Sequence, residues 1–256
     1  MASYDLLGNI AIVKFGKEKL KEKKKIALKI LKEHKAIRTV LEKSEKVKGR
    51  LRKIKTRHLA GEKNKIAEYK ENSCKFIFDV DETYFSPRLS GERKEVSEMI
   101  NKKDSVLVLF AGVAPFSIVI AKLSKCRKVV SVEINRKASE YAEKNVKLNK
   151  LDNVEVIQGD VKKLDKILKG KKKEKFDKII MARPQLKETF LSYIWKYCKR
   201  GTEVYYYGFA DYPREVLKEI YEESKKARKK IKILKVKKAG EIAPYRFRWR
   251  VDFKVS

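Results

Sequence analysis

The residue types that could do chemistry in this chain lie at the ends of successive apolar runs. Val106-Leu107-Val108-Leu109 leads into Phe110-Ala111-Gly112-Val113-Ala114-Pro115-Phe116-Ser117, a strand-like run closed by a small-residue turn and followed by a helix-like segment. Such a turn brings backbone N–H groups to a ligand, here from Ala111, Gly112 and Val113. About 20 residues on, Val129-Val130-Ser131-Val132 ends in Glu133, an acid at a strand tip that can accept both hydroxyls of a ribose. A third run, Val154-Glu155-Val156-Ile157, ends in Gln158-Gly159-Asp160-Val161, where Asp160 can accept a bond from an adenine amino group. Taken singly, each acid also reads as a helix N-cap or a surface charge. Together, a turn and two acids at successive strand ends read as a nucleoside-cofactor site. There is no complete G-x-G-x-x-G, which disfavours a dinucleotide, and S-adenosylmethionine (SAM) fits the spacing better. A fourth run, Lys178-Ile179-Ile180-Met181, ends in Ala182-Arg183-Pro184-Gln185. That tip has two readings: a place for a methyl acceptor beside the sulfonium, or a plain strand stop at Pro184, which cannot continue a central ladder.

The elements that must hold these tips alternate. Strand patterns at 105–109, 128–132, 154–157, 178–181 and 203–207 are separated by helical ones such as 136–148, which implies a parallel, doubly wound α/β sheet over residues 83–256. Two late strand-like runs, 232–237 and 247–255, predict a closing hairpin at the sheet edge. Residues 1–82 form a smaller, basic α+β unit. It has a strand at 9–13 after a turn at Gly8, a lysine-rich amphipathic helix over 17–35, a short apolar segment at 37–41 and an alternating strand from Cys74 to Val80. Lys169 to Lys175 reads as a solvated loop.

Charge narrows the partner. The chain has 256 residues, with 66 Lys+Arg against 34 Asp+Glu, a net charge of +32. Residues 1–72 alone hold 22 Lys+Arg and 9 Asp+Glu, a net +13, and 46–57 is the most basic stretch. A small-metabolite enzyme has no need of that excess, whereas a chain that binds a polyanion does. Enrichment in charge for solubility or heat tolerance would raise both signs. Cys74, Cys126 and Cys198 are scattered and form no C-x-x-C pair, which argues for a reducing compartment and against structural zinc. His34 and His58 are too few for a His-based metal site, so no metal is expected. With no membrane-length apolar run and no signal-peptide pattern at Met1-Ala2-Ser3-Tyr4-Asp5, the expected location is cytoplasmic.

At the junction of the two units stands Glu82-Thr83-Tyr84-Phe85-Ser86-Pro87-Arg88-Leu89-Ser90-Gly91-Glu92-Arg93. With the Phe-Ala-Gly-Val-x-Pro-Phe-Ser turn, it resembles the archaeal and eukaryotic tRNA (guanine-37-N1)-methyltransferases and their wyosine-pathway relatives. The likeness runs almost end to end, through Tyr4-Asp5-Leu6-Leu7-Gly8, Lys48-Gly49-Arg50-Leu51-Arg52, Leu59-Ala60-Gly61-Glu62, Glu71-Asn72-Ser73-Cys74, Glu133-Ile134-Asn135 and Tyr205-Tyr206-Tyr207. The resemblance implies a SAM-dependent methyltransferase that acts at position 37 beside the tRNA anticodon, as a monomer that reads the anticodon arm.

It also implies residue roles. Glu92 matches the family's general base on guanine N1, and Arg52 matches an arginine that stabilises O6 as charge develops there. On its residues alone, Glu92 reads as a solvated glutamate in a helix's first turn. Tyr84 and Arg88 match residues lining the SAM and guanine pocket. The expected cofactor set is completed by Phe110, Ala111, Gly112, Val113, Phe116, Glu133, Ile134, Asp160, Val161 and Pro184. Arg50, Lys53, Lys55, Pro87, Ala182 and Arg183 are expected to meet the RNA. Three positions depart from the family, the first being Val108, which replaces an acid ahead of the turn. Ala114 replaces a glycine of the turn and is expected to demand an ordinary φ. Ala182 replaces the asparagine of an Asn-Leu-Pro tip, and its less polar surroundings suit the tricyclic 4-demethylwyosine, methylated at C7, as well as guanosine N1. The alternatives are transfer of SAM's aminocarboxypropyl group to the same wyosine precursor, as in a sister family, and a non-catalytic tRNA-binding protein.

Overall fold

A computed structural model describes residues 3–44, 53–168 and 174–256. The chain starts with a hairpin of β1 (Ser3–Leu7) and β2 (Ile10–Lys14), followed by α1 (Leu20–Glu33), β3 (Thr39–Lys43) and β4 (Thr56–Gly61), which form one sheet in the order β1-β2-β3-β4. Gly8 is required at the hairpin turn. Its φ is +60°, and a Cβ there would stand 1.8 Å from the Glu68 carbonyl oxygen. Helix α1 lays Ala27 and Ile30 against Ala11, Val13, Val40 and Leu59; Lys23 turns in to pair with Glu42 at 2.7 Å, while Lys21, Lys24, Lys25 and Lys29 face outward.

Next come a hairpin of β5 (Ile66–Glu71) and β6 (Cys74–Asp79), then α2 (Ser90–Glu98), β7 (Ser105–Leu109), α3 (Pro115–Ser124), β8 (Lys128–Glu133), α4 (Arg136–Leu148), β9 (Val154–Gln158), α5 (Leu164–Ile167), β10 (Phe176–Met181), β11 (Cys198–Ala210), α6 (Pro213–Lys226), β12 (Ile231–Ala243) and β13 (Arg246–Val255). The β5–β6 turn is Asn72-Ser73, both at positive φ (+47° and +59°), the handedness a tight hairpin needs. The large sheet runs β12-β13-β11-β10-β7-β8-β9. Strands β9, β8, β7, β10 and β11 are parallel, and β13 is antiparallel to both β11 and β12. Every side chain of β7 is buried, as a central strand covered on both faces requires. This is the doubly wound, Rossmann-like architecture, with the expected hairpin at one edge.

Hairpin β5–β6 lies just before the boundary expected at residue 82. Hairpin β5–β6 packs against α4: Asn149 accepts from the Lys75 N–H (2.9 Å) and donates to its carbonyl (2.7 Å), and Asn145 accepts from the Ile77 N–H (2.8 Å). Phe76 and Phe78 share a core with Val113, Ile118 and Ala138. The same core holds Leu7, Ile10 and Leu41, and Asn9 bonds both Ile66 and Glu68, so the hairpin bridges the two units.

Candidate active site

The strand order reverses between β7 and β10, which pair to their last residues, so the segments leaving their carboxyl ends diverge and leave a crevice outside the sheet. A cavity there is lined by Phe110, Ala111, Gly112 and Phe116 from the β7–α3 turn, Glu133, Ile134 and Asn135 after β8, and Ala182, Arg183 and Pro184 after β10. Tyr207 of β11, Arg248 of β13 and Tyr84, Phe85, Ser86, Leu89 and Arg93 of the junction complete the wall. A smaller apolar recess adjoins it, bounded by Phe110, Ile134, Asp160, Val161, Pro184 and Phe190.

The turn and the acid are one structure. Gly112 (φ +59°) donates its N–H to one Glu133 carboxylate oxygen at 2.7 Å, and Asn135 donates its N–H to the other at 2.7 Å. The Gly112 N–H is thus engaged by Glu133, where the sequence reading aims it at a ligand. Burial pushes the Glu133 carboxyl up, and the N–H groups of Asn135, Gly112 and Ile134 oppose that shift. Each oxygen keeps acceptor capacity, so a diol can bind here. Flat apolar walls at Phe110, Ile134 and Val161, with Asp160 at the rim, suit a purine. The residues present therefore fit the nucleoside of SAM. Ala114 does not take the ordinary φ expected of it. It is fully buried at φ +64°, because its N–H closes on Ala111 (2.9 Å) while its carbonyl starts α3 by accepting from Ile118 (2.9 Å). A left-handed alanine costs about 1–2 kcal/mol, which the surrounding helix start offsets. Glu133→Ala removes the diol acceptor and loosens the turn. The expected loss is about 10- to 100-fold in SAM affinity by calorimetry, with tRNA affinity little changed. Unchanged SAM affinity would overturn the cofactor placement.

Several expected site residues lie elsewhere. Glu92 is buried but does not line the cavity. Its carboxylate accepts from the Tyr207 hydroxyl (3.0 Å), Lys237 Nζ (3.0 Å) and Arg250 Nη1 (2.5 Å). These cations draw it beneath β11 and β13, and Tyr207 connects it to the cavity wall. Arg88 faces the neighbouring cleft and pairs with Asp5 at 2.8 Å, so it lines that cleft and not the cofactor cavity. Pro87 lines the cleft as well. Val113 points into the core, its carbonyl bonded by Asn145 (3.2 Å). Arg183 edges the cavity, but its guanidinium is buried between the rings of Tyr206 (5.2 Å) and Phe209 (5.6 Å) and donates to the Leu186 carbonyl (2.7 Å). It braces the 182–190 segment and does not stand in for the asparagine absent at Ala182. Lys53 bonds Glu82 at 2.5 Å, and Lys55 is exposed. Arg50 and Arg52 lie outside the described residues.

Other residues organise the site without having stood out in the sequence. Arg93 makes a double bond pair with Glu71 (2.5 and 2.6 Å), with both side chains 2% exposed, and holds the Ser86 carbonyl at 3.0 Å. It thereby pins the junction to hairpin β5–β6. Phe85 stacks on Phe78 (4.7 Å, 13°), and Asn135 Nδ2 donates to the Glu82 carbonyl at 2.8 Å. Adjacency to Glu133 could have flagged Asn135. Tyr207 stands in the Tyr205-Tyr206-Tyr207 run that carries the likeness, whereas nothing in the local sequence marks Arg248. Among the described residues no helix is long and apolar enough to cross a membrane, and no His/Cys/Asp/Glu group is arranged to hold a metal.

Comparison with known proteins adds a second line. Residues 67–236 match the TRM5/TYW2 methyltransferase domain, and residues 1–64 match the TYW2 N-terminal domain. The tRNA (guanine(37)-N(1))-methyltransferase Trm5b of Pyrococcus abyssi is 35% identical over 257 residues, covering 99% of this chain and 75% of that protein. Its crystal structure superposes with a TM-score of 0.88 over the same shares. The tRNA (guanine(37)-N(1))/4-demethylwyosine(37)-methyltransferase Taw22 of Nanoarchaeum equitans is 44% identical over 158 residues, 62% of this chain and 52% of that one. A solved complex of aTrm5 with tRNALeu is 28% identical with a TM-score of 0.87, covering 99% of this chain and 72% of that chain.

Proposed function

Because the chain belongs to the TRM5/TYW2 methyltransferase family, we propose that it transfers the methyl group of SAM to the nucleotide at position 37 of tRNA, on N1 of guanosine, on C7 of 4-demethylwyosine, or on both. The observation that carries this reading is the cavity at the strand reversal, with Glu133 fixed by the Gly112 and Asn135 N–H groups at its nucleoside end. At its other end it adjoins an open cleft between the two units. The names of the Pyrococcus abyssi and Nanoarchaeum equitans relatives support both acceptors.

When bound, SAM supplies an electrophilic methyl on its sulfonium. Glu133 holds the ribose, and the recess around Phe110 and Val161 takes the adenine. Ala182 leaves the acceptor side apolar and open, which suits a wide ring. Guanine N1 carries a proton and is a poor nucleophile, so the proton must leave as the methyl arrives. Glu92 is the carboxylate assigned to receive it, and Arg52 is assigned to the charge growing on O6. Glu92 does not line the cavity, so the proton reaches it through the Tyr207 hydroxyl, which passes its own proton to the carboxylate as it takes the one from N1, or after a shift of the Glu92 side chain.

Incubation with methyl-labelled SAM and tRNA transcripts carrying either G37 or A37 tests the proposal. Label on the G37 transcript alone is expected. No label on either, with SAM binding intact, would overturn transfer to guanosine N1 and leave the wyosine-type acceptor and the RNA-binding reading. The basic N-terminal unit is proposed to hold the anticodon arm. Reversing the charges of Lys53 and Lys55 is expected to weaken tRNA and flatten the dependence of affinity on salt by about one charge per residue. An unchanged salt slope would move the RNA footprint elsewhere.

A further inference from the structure

Two arginines two residues apart on one face of β13 have opposite surroundings. Arg250 is fully buried beneath α2 and meets Glu92, Glu95 and Asp252. Arg248 lies on the next rung, opposite Phe209 of β11 and Gly240 of β12. Among the described residues no carboxylate pairs with it; its guanidinium lies over the Phe209 ring, 5.4 Å from the centroid. Strand β12 flanks it on the other side. The pairing register shifts between Lys238 and Gly240, and a Cβ built on Gly240 (φ +137°) would reach within 3.9 Å of Arg248 Nη1. The fold therefore positions a cation between an aromatic face and a glycine while giving it no internal anion.

Arg248 lines two cavities at once, the cofactor cavity and the adjoining cleft of about 770 Å³. Lys14 and Lys43 also line the cleft; of its two carboxylates, Asp5 is taken by Arg88, and Glu241 remains. A base that reacts in the cofactor cavity has to leave its stack and enter from the cleft. Its own backbone phosphate then stops at the mouth. A guanidinium matches a phosphate with two parallel N–H···O bonds, and a ring beneath it fixes its plane.

We infer that Arg248 clamps the backbone phosphate of the acceptor nucleotide as its base enters the cavity. This rests on the function proposed above. The test uses the whole chain and an anticodon stem-loop, either native or with one neutral methylphosphonate on one or the other side of nucleotide 37. Arg248→Met is expected to weaken native RNA by about tenfold and to lower the salt slope by about one, with SAM affinity unchanged. One of the two methylphosphonates should cost the unmodified protein as much and cost the variant nothing further. Arg248→Lys keeps the charge, so it should keep the salt slope while losing part of the affinity. Additive losses at both phosphates, or unchanged RNA affinity, would overturn the inference. So would a loss confined to SAM, which would instead place Arg248 on the cofactor's own carboxylate. If the unmodified protein methylates RNA and the cycle is additive, the clamp alone fails. If the cycle closes and no methyl is transferred, the proposed function alone fails.

Discussion

Replacing Glu92 by glutamine is expected to slow the methyl-transfer step by roughly 10²–10⁴ while SAM still binds. The substitution keeps the shape and removes the acceptor charge. Arg250 retains Glu95 and Asp252, and Lys237 retains Glu95, so the surrounding ion pairs survive. Single-turnover transfer with pre-bound tRNA reads the chemical step directly, and calorimetry reads the cofactor. Because Glu92 does not line the cofactor cavity, the two readouts should separate. Full activity in this variant would remove Glu92 as the base.

The same cluster predicts a large effect on stability. Arg250 has no exposed surface and is shared by Glu92, Glu95 and Asp252. Burial pushes the Asp252 carboxyl up to about 6, with Arg250 opposing it. Burial also raises Glu95, but bonds from Lys237, Lys235 and Arg250 outweigh it and hold that carboxyl at about 2. Arg250→Ala strands the buried Asp252 and leaves Glu92 with Lys237 and Tyr207 alone; removing one partner of a buried pair costs about 3–5 kcal/mol. Urea denaturation should show the loss as a lower midpoint with an unchanged slope. A loss below about 1 kcal/mol, the scale of an exposed pair, would mean that water reaches the cluster.

Elements whose side chains alternate or recur with a helical period were legible in the sequence. The reading placed β7 at 105–109 and α4 at 136–148, and the structure has both at those bounds. The two runs at 232–237 and 247–255 do form the edge hairpin, as β12 and β13. Strand β1 escaped notice because it is an edge strand with four of its five residues exposed, so burial imposed no alternation on Ser3-Tyr4-Asp5-Leu6-Leu7. At the site, Gly112 and Glu133 were legible because a strand tip allows few backbone routes. The position of Glu92 was not. It depends on Arg250 and Lys237, which lie 158 and 145 residues further along the chain and come together only through the β11–β13–β12 pairing. Arg183 illustrates the same gap: it is expected to meet the RNA, but the rings of Tyr206 and Phe209 capture the guanidinium.

The central claim is methyl transfer from SAM to the nucleotide beside the anticodon. Its most direct test offers the protein SAM and two tRNAs, one with guanosine at position 37 and one with 4-demethylwyosine there, followed by mass analysis of the isolated nucleosides. The account predicts a single added methyl on the position 37 nucleoside of at least one of them. An added aminocarboxypropyl group, or two unmodified nucleosides with SAM and tRNA both bound, would contradict it.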